Sequence, residues 1–155
     1  MAEPTDNPGV VARPPLLYAG ALVIALALHW LRPLPILDHA IALGAGLALI
    51  VLGVGIAIPG RGALKAAATN IDPMRPTTAI VTSGPYRFSR NPLYVALTLL
   101  FVGITLAVNT WWGIVILVPL VIVMHYGVVR REERYLEKKF GEAYRQYRSR
   151  VRRYL

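Results

Sequence analysis

The chain has no cysteine among its 155 residues, which excludes disulfides, thiolate metal sites and a cysteine nucleophile. Charge is also scarce, at 16% of residues against roughly 25% in ordinary soluble domains. Acidic residues are fewest, with 8 Asp and Glu against 17 Lys and Arg. Hydrophobic residues make up 55%, which excludes a disordered tail and exceeds what a chain of this length can bury. The apolar excess therefore favours a protein that faces lipid.

Several motifs of catalysis and binding are missing as well. There is no phosphate-binding loop of the Walker type, no dinucleotide-binding glycine motif, no His-Glu-x-x-His and no serine elbow. The three histidines, at positions 29, 39 and 125, are too scattered to predict a metal site. We therefore expect no metal. The net charge of +9 is not accompanied by a module that reads a nucleic-acid groove, so we also expect no nucleic-acid partner.

Four apolar runs contain no Asp, Glu, Lys or Arg: 16–31, 39–58, 93–108 and 111–129. A helix needs roughly 20 residues to cross a bilayer core. The second and fourth runs are long enough to cross the bilayer. The first and third runs are too short unless flanking residues extend them or the bilayer is locally thinner. We therefore predict an all-α integral membrane protein with four transmembrane helices, forming a single domain over 1–155.

Basic residues are distributed unevenly between the connections. The first connection holds only Arg32, whereas the predicted cytoplasmic loop 59–92 holds five Lys and Arg and the tail from Arg130 holds ten. Four spans put this loop and the tail on one side, which the positive-inside rule makes cytoplasmic. We expect an integral protein of a bacterial inner membrane, with both termini in the cytoplasm.

The tail is predicted to form a C-terminal amphipathic helix over 130–150. Along the tail, one stripe of apolar and aromatic residues recurs at spacings of three and four, while Arg and Lys fill the other faces. The members of this aromatic stripe are Leu136, Phe140, Tyr144, Tyr147, Val151 and Tyr154. Such a helix either lies on a membrane surface or packs on the loop as a soluble helix would.

The third and fourth runs are joined by Asn109 and Thr110 alone, which predicts a tight antiparallel hairpin. Asn91 lies about 18 residues before this turn and Glu132 about 22 after it, so the two differ by only about 6 Å along the helix axis. The hairpin is therefore expected to bring the two positions together at one cytoplasmic rim.

Both ends of this hairpin carry residues suited to chemistry. Pro92 fits the first turn of a helix and Asn91 its cap, and the helix start together with Arg87 or Arg90 would attract a carboxylate. A plain turn and cap with surface arginines is the alternative. Glu132 and Glu133 would hold a cationic group or form a solvated charge ladder, and only one of them can point squarely into a site.

His125 is a weaker candidate. It lies about two turns before the acidic pair and would act as a proton acceptor or as a hydrogen-bonded helix contact. The residues identify no catalytic group beyond it.

These segments resemble a known superfamily. The stretch IVTSGPYRFSRNPLY at 80–94, the hairpin, the Glu132–Glu133 pair and FGEAYRQY at 140–147 resemble the isoprenylcysteine carboxyl methyltransferase and phospholipid methyltransferase superfamily of integral membrane enzymes. The resemblance covers roughly 60–155, and the first two runs match only as spans. It implies methyl transfer from S-adenosylmethionine to a lipophilic acceptor at the membrane–cytoplasm boundary.

The resemblance also implies cofactor-binding residues. Glu132 or Glu133 would hold the amino-acid end of the cofactor, and Tyr86 would lie against its adenine. The other residues implied by the family or suited by their chemistry are Thr78, Ala79, Ile80, Val81, Arg90, Asn91, Pro92, Leu93 and Tyr94, with 78–81 as an approach strand. Asn91 stands where the family usually has histidine, and an amide binds but cannot carry a proton.

The acceptor remains open at this stage. An isoprenylcysteine-like carboxylate or another small lipid needs no base. The alternative, an ethanolamine phospholipid, carries an amine that must first lose a proton. A non-enzymatic alternative is a four-helix membrane scaffold whose basic tail binds anionic lipid.

Overall fold

A computed structural model describes residues 6–155; the first five residues of the predicted domain lie outside it. The described chain is helical and has no strand, only an isolated bridge between Ser89 and Arg152. Its helices are α1 (Pro14–Leu31), α2 (His39–Ala66), α3 (Pro92–Ala107), α4 (Trp111–Val123), α5 (Arg130–Phe140) and α6 (Glu142–Arg150). A π-helical turn, Met124–Val129, joins α4 to α5, and a short 3-10 turn, Gly84–Arg87, precedes α3. The predicted all-α class is confirmed.

Among residues 6–155, three helices are long and apolar enough to cross a membrane: Pro14–Leu31, His39–Ala66 and the continuous helix Trp111–Phe140. The third predicted span corresponds to α3, which has 16 residues. Such a helix is about 24 Å long, shorter than a bilayer core of roughly 30 Å. The structure therefore supports three of the four predicted spans by length.

Pro59 lies inside α2, so the prediction that α2 stops at residue 58 is wrong, and the irregular loop begins at Ala67 rather than at 59. Proline removes one backbone hydrogen bond and crowds the preceding turn of the helix. Contacts with α3 before and after Pro59 nevertheless allow α2 to continue past it. Before Pro59, Gly53 lies against Leu100; after it, a Cβ on Gly60 would come within 2.9 Å of Leu93.

Glycines let α2 and α3 approach closely. A Cβ added to Gly46 would lie 2.6 Å from the carbonyl oxygen of Gly103, and one added to Gly103 would lie 2.8 Å from the carbonyl oxygen of Gly46. Small residues of this kind let helix backbones meet in membranes, where packing replaces the hydrophobic driving force.

The predicted hairpin between α3 and α4 is confirmed. Asn109 adopts φ +61°, and the Thr110 side chain caps α4 by accepting from the Trp112 amide. The Asn109 side chain also accepts from the Ile36 and Leu37 amides at 2.8 and 3.1 Å. The turn is thereby fixed to the connection between α1 and α2 at the same end of the bundle.

Apolar side chains lie on both the inside and the outside of the bundle. Tyr18, Phe101 and Met124 form part of the buried core between α1, α3 and the α4 helix. On α2, Val51 and Ile58 remain 69% and 68% exposed. A continuous exposed apolar face is typical of a surface that meets lipid.

The predicted single C-terminal helix over 130–150 is wrong, because the chain breaks at Gly141. This residue has φ +54° and ψ −122°, a conformation that glycine adopts without a Cβ clash. The break lets α6 turn back toward the loop. Tyr144, from the predicted aromatic stripe, is 2% exposed, and the Tyr147 hydroxyl donates to the Tyr86 carbonyl oxygen at 2.8 Å. At these positions the stripe packs on the protein.

Candidate active site

Tyr94 and Glu132 connect the two ends of the hairpin. The Tyr94 hydroxyl, on the first turn of α3, donates to Oε1 of Glu132, on the first turn of α5, at 2.7 Å. The prediction that the start of α3 meets the acidic pair is confirmed by this contact. It follows from the two-residue turn, which aligns the helices in antiparallel register.

The π-helical turn Met124–Val129 sets which way the acidic pair faces. A π turn contains one residue more than an α turn, so it rotates everything after it by about 100° relative to a continuous α-helix. The carbonyl oxygen of Gly127 accepts from the Val11 amide at 3.1 Å, and a Cβ on Gly127 would come within 2.7 Å of the Val11 side chain. Glycine at this position therefore lets the segment before α1 cover the turn.

Glu133 is buried and paired with two arginines. Its Oε1 lies 2.9 Å from Nη1 of Arg90, and Arg153 donates from Nε and Nη2 at 2.9 and 2.8 Å. Fork-shaped contacts of this kind are among the stronger ion pairs in proteins. Hydrogen bonding to Glu133 raises the pKa of the Arg153 guanidinium above its ordinary value. Both oxygens of Glu133 are thus occupied, whereas Glu132 has Tyr94 as its protein partner among residues 6–155.

Arg90 keeps one donor without a protein partner. Its side chain is 8% exposed, and Nη1 contacts both Glu133 and the Tyr144 hydroxyl, the latter at 3.3 Å. Its Nε is buried and has no hydrogen-bond partner among residues 6–155. An unpaired buried donor costs free energy, about 1–3 kcal/mol, so its presence in a cleft wall indicates a ligand acceptor.

These residues surround a cleft with about 870 Å³ of empty space, its open mouth included. Of the predicted cofactor-binding residues, those that line it are Ile80, Val81, Tyr86, Arg90, Asn91, Leu93, Tyr94, Glu132 and Glu133, together with Ala79. The other two do not. Thr78 is exposed and bonds to Thr69 and the Ala68 carbonyl, and Pro92 is fully buried at the start of α3.

The expected approach strand at 78–81 is irregular extended chain in the structure, without strand pairing. Its hydrogen bonds go to the residues just after α2 rather than to a sheet: the Thr78 hydroxyl donates to the Ala68 carbonyl oxygen at 3.0 Å, and the Thr78 amide donates to Oγ1 of Thr69 at 3.1 Å. An isolated extended segment suffices here because one side chain, Val81, is buried at 7% exposure.

Asn91 stands at the predicted cap position but does not cap α3 with its side chain. Its Nδ2 donates instead to the carbonyl oxygen of Arg153 at 2.9 Å, and its backbone amide donates to Oγ of Ser89 at 3.1 Å. The side chain therefore connects the start of α3 to the end of the chain's C-terminal segment, while Pro92 occupies the first turn as predicted.

Tyrosines form much of the remaining wall. Burial raises the pKa of Tyr86 and that of Tyr147 well above the ordinary value, so both hydroxyls stay protonated at neutral pH. Neutral phenol rings give the cleft flat, weakly polar faces beside the side chains of Glu132 and Arg90.

Sequence reasoning missed further wall residues, namely Pro8, Leu64, Thr69, Asn70, Ile71, Pro73, Thr77, Tyr135, Leu136, Tyr144 and Tyr147. The aromatic stripe of the tail contained a signal for Leu136, Tyr144 and Tyr147, because a stripe that packs on the loop must meet the site. No spacing pattern pointed to the segment 69–73, which reaches the cleft only because α2 extends to Ala66.

His125 lies outside the walls of the cleft. Its Nδ1 is 3.0 Å from the Tyr154 hydroxyl, and its ring packs edge-on against Tyr126. No group of three or more His, Cys, Asp or Glu within residues 6–155 is arranged to hold a metal ion.

A second, mainly apolar cavity adjoins the cleft. It has about 720 Å³ of empty space, its opening included, and is lined by Tyr18, Tyr94, Val95, Thr98, Leu99, Val121, Met124, Val129, Tyr154 and Leu155. None of these side chains is charged. Tyr94 lines both spaces and is therefore the wall between them.

Comparison with known proteins identifies the family. The family model described as phospholipid methyltransferase matches residues 41–143, more than half of the chain. An uncharacterized protein of Haemophilus influenzae is 38% identical over 66 residues, which are 41% of this chain and 100% of that protein. No solved structure matches. The chain belongs to the phospholipid methyltransferase family, a family of membrane methyltransferases.

Proposed function

We propose that this protein transfers a methyl group from S-adenosylmethionine to a lipophilic acceptor. The observation that carries the proposal is the position of Tyr94, which separates a cleft with charged groups from an apolar cavity. A polar cofactor and an apolar acceptor would meet beside this one side chain, where the acceptor atom can approach the methyl group directly. Aligning two reactants in this way can supply most of the catalysis of a transfer reaction.

The residues of the cleft fit S-adenosylmethionine. Its ammonium group suits the Glu132 carboxylate, and its carboxylate suits the unpaired Nε of Arg90. The adenosine would lie among apolar and aromatic walls such as Ile80 and Tyr86. When bound, the cofactor supplies an electrophilic methyl group on a sulfonium.

The protein's own groups would bind, orient and exclude water. A tyrosine face attracts a sulfonium by about 0.5–2 kcal/mol, and Tyr94 is positioned by its bond to Glu132. The ion pairs of Glu133 hold Arg90 in the wall. A carboxylate or thiolate acceptor needs no general base, which agrees with an asparagine at position 91 and with His125 outside the cleft.

The acceptor we propose has a long apolar part and a small polar end. The second cavity has no charged lining residue in the described chain, so a phosphate inside it would have no cation. The family match favours the other acceptor, an ethanolamine phospholipid, whose headgroup would then have to lie in the cleft beside Arg90.

We further propose that all four apolar helices cross the membrane and that the basic side faces the cytoplasm. The bilayer would thin around α3, because this helix has only 16 residues and ends in a turn on either side. The cleft, the loop before α3 and α5 then lie on the cytoplasmic side, where the cofactor is available.

The test is cofactor binding and labelling. Purified protein in detergent should show a higher melting temperature with millimolar S-adenosylmethionine. Native membranes supplied with the protein and methyl-labelled cofactor should yield one labelled lipid or lipidated product, whose identity separates the two acceptors. No thermal shift and no labelled product would favour the non-enzymatic membrane scaffold.

A further inference from the structure

We propose that Tyr154 determines which acceptors enter the apolar cavity, an inference that rests on the proposed methyl transfer. Its side chain lines this cavity and is 37% exposed. It is the aromatic residue of the C-terminal segment Arg152–Leu155 that reaches the cavity.

The backbone leading to Tyr154 is fixed by the neighbouring cleft. The Arg90 amide donates to the Arg152 carbonyl oxygen at 2.9 Å, and the Asn91 side chain donates to the Arg153 carbonyl oxygen at 2.9 Å. The Arg153 side chain is bound to Glu133 at the same time. Three contacts therefore hold the residues immediately before Tyr154.

The other end of the Tyr154 side chain is held as well. Its hydroxyl lies 3.0 Å from Nδ1 of His125, in the π-helical turn. Because the backbone before Tyr154 is held in place, its ring can swing aside only by breaking the contact between its hydroxyl and His125. His125, which has no place in the cleft, thereby gains a role as the positioning residue for this wall.

The hydroxyl groups of Tyr18 and Thr98 also line the cavity, and both are hydrogen-bonded. The Tyr18 hydroxyl is 2.6 Å from Oγ1 of Thr98, which donates to the Tyr94 carbonyl oxygen at 2.9 Å. These hydroxyls are satisfied by each other, so shape rather than charge selects what the cavity holds. In an apolar pocket each methyl or methylene group that clashes or fits changes selectivity by roughly tenfold or more.

The experiment measures entry into the cavity directly. Wild type and variants in phosphatidylcholine nanodiscs are exposed to two photoreactive fatty alcohols of equal length, one straight and one methyl-branched. Mass spectrometry then gives the ratio of branched to straight labelling at Val95, Leu99, Val121 and Met124. We expect Tyr154→Ala to raise this ratio roughly tenfold.

Three further variants isolate the cause. Tyr154→Phe keeps the ring and should change the ratio less than Tyr154→Ala. Tyr126 packs against His125 but does not line the cavity. Tyr126→Ala should therefore leave the ratio of branched to straight labelling within about twofold of wild type. Leu155→Ala enlarges the cavity without touching a hydrogen bond and should raise the ratio even if Tyr154→Ala fails to fold.

The inference is overturned if the cavity residues are not labelled in wild type, if a folded Tyr154→Ala does not raise the ratio, if Leu155→Ala does not raise it where Tyr154→Ala fails to fold, or if Tyr126→Ala raises it as much. Each protein is also tested for a thermal shift with S-adenosylmethionine. A normal shift with an unchanged ratio refutes only the role of Tyr154, whereas no shift in wild type refutes the proposed function itself.

Discussion

The Tyr94 hydroxyl donates to the Glu132 carboxylate at 2.7 Å, across 38 positions of sequence. One short turn between α3 and α4 produces this contact, because two helices joined by two residues must run side by side. The neighbouring carboxylate, Glu133, pairs with Arg90 and Arg153 instead. Two adjacent glutamates therefore have different partners, and their substitutions should have different effects.

Glu132→Gln is expected to weaken S-adenosylmethionine binding by about 10- to 100-fold. A hydrogen bond to a charged group contributes about 1.5–3 kcal/mol, and the amide removes the negative charge that would face the ammonium. Isothermal titration calorimetry in detergent measures the change. Glu137→Gln is the matched control, since Glu137 pairs with Arg148 and does not line the cleft. Wild-type affinity in Glu132→Gln would remove this residue from the site.

Glu133→Gln is expected to lower the free energy of unfolding by about 3 kcal/mol, because it leaves two guanidinium groups without their shared anion. Unfolding in mixed micelles measures the loss. Glu142→Gln is the comparison, since its ion pair with Arg145 is exposed and worth little. Equal stability of these two variants would contradict the structural role of Glu133.

Arg90→Lys is expected to weaken cofactor binding about tenfold while retaining the positive charge. Lysine has no counterpart of Nε, the buried donor that lacks a protein partner, and cannot reproduce the planar fork. Arg87→Lys serves as control, because Arg87 is exposed and outside the cleft. Titration with S-adenosylmethionine compares the two, and equal affinities would exclude Arg90 as a ligand for the cofactor.

Gly46→Ala is expected to destabilise the protein by about 1–3 kcal/mol, because the new Cβ would lie 2.6 Å from the Gly103 carbonyl oxygen and force α2 away from α3. Gly44→Ala adds the same group to the same helix with nothing within 4 Å. Melting temperatures of the two variants in detergent test the difference. A larger loss in Gly44→Ala would show that the helices pack differently.

Membrane orientation is open to a direct test, because the chain has no native cysteine. Ser149→Cys in α6 and Pro35→Cys between α1 and α2 place single thiols at exposed positions. In intact cells an impermeant maleimide should label Pro35→Cys and should reach Ser149→Cys only after lysis. Labelling of both thiols in intact cells, or the reverse pattern, would overturn the proposed orientation.

Much of the site could be predicted because it depends on local signals. The hairpin followed from two residues between apolar runs, and ten of the twelve cofactor-binding candidates line the cleft. Thr78 and Pro92 do not line the cleft, because neighbouring residues of one segment face different ways and a sequence pattern does not say which of them face the cleft. The tail was misjudged because a single glycine, Gly141, redirected it.

The sequence by itself determined the lipid-facing character of the chain, the helical class and the pairing of α3 with α4, since composition and short connections act over a few residues. Only the tertiary structure decided that α2 continues past Pro59, that a π-helical turn sets the direction in which α5 faces, and that Arg153 forms an ion pair with Glu133. Each of these depends on packing between segments far apart along the chain. Such contacts choose among local conformations of similar free energy, and no local pattern records that choice.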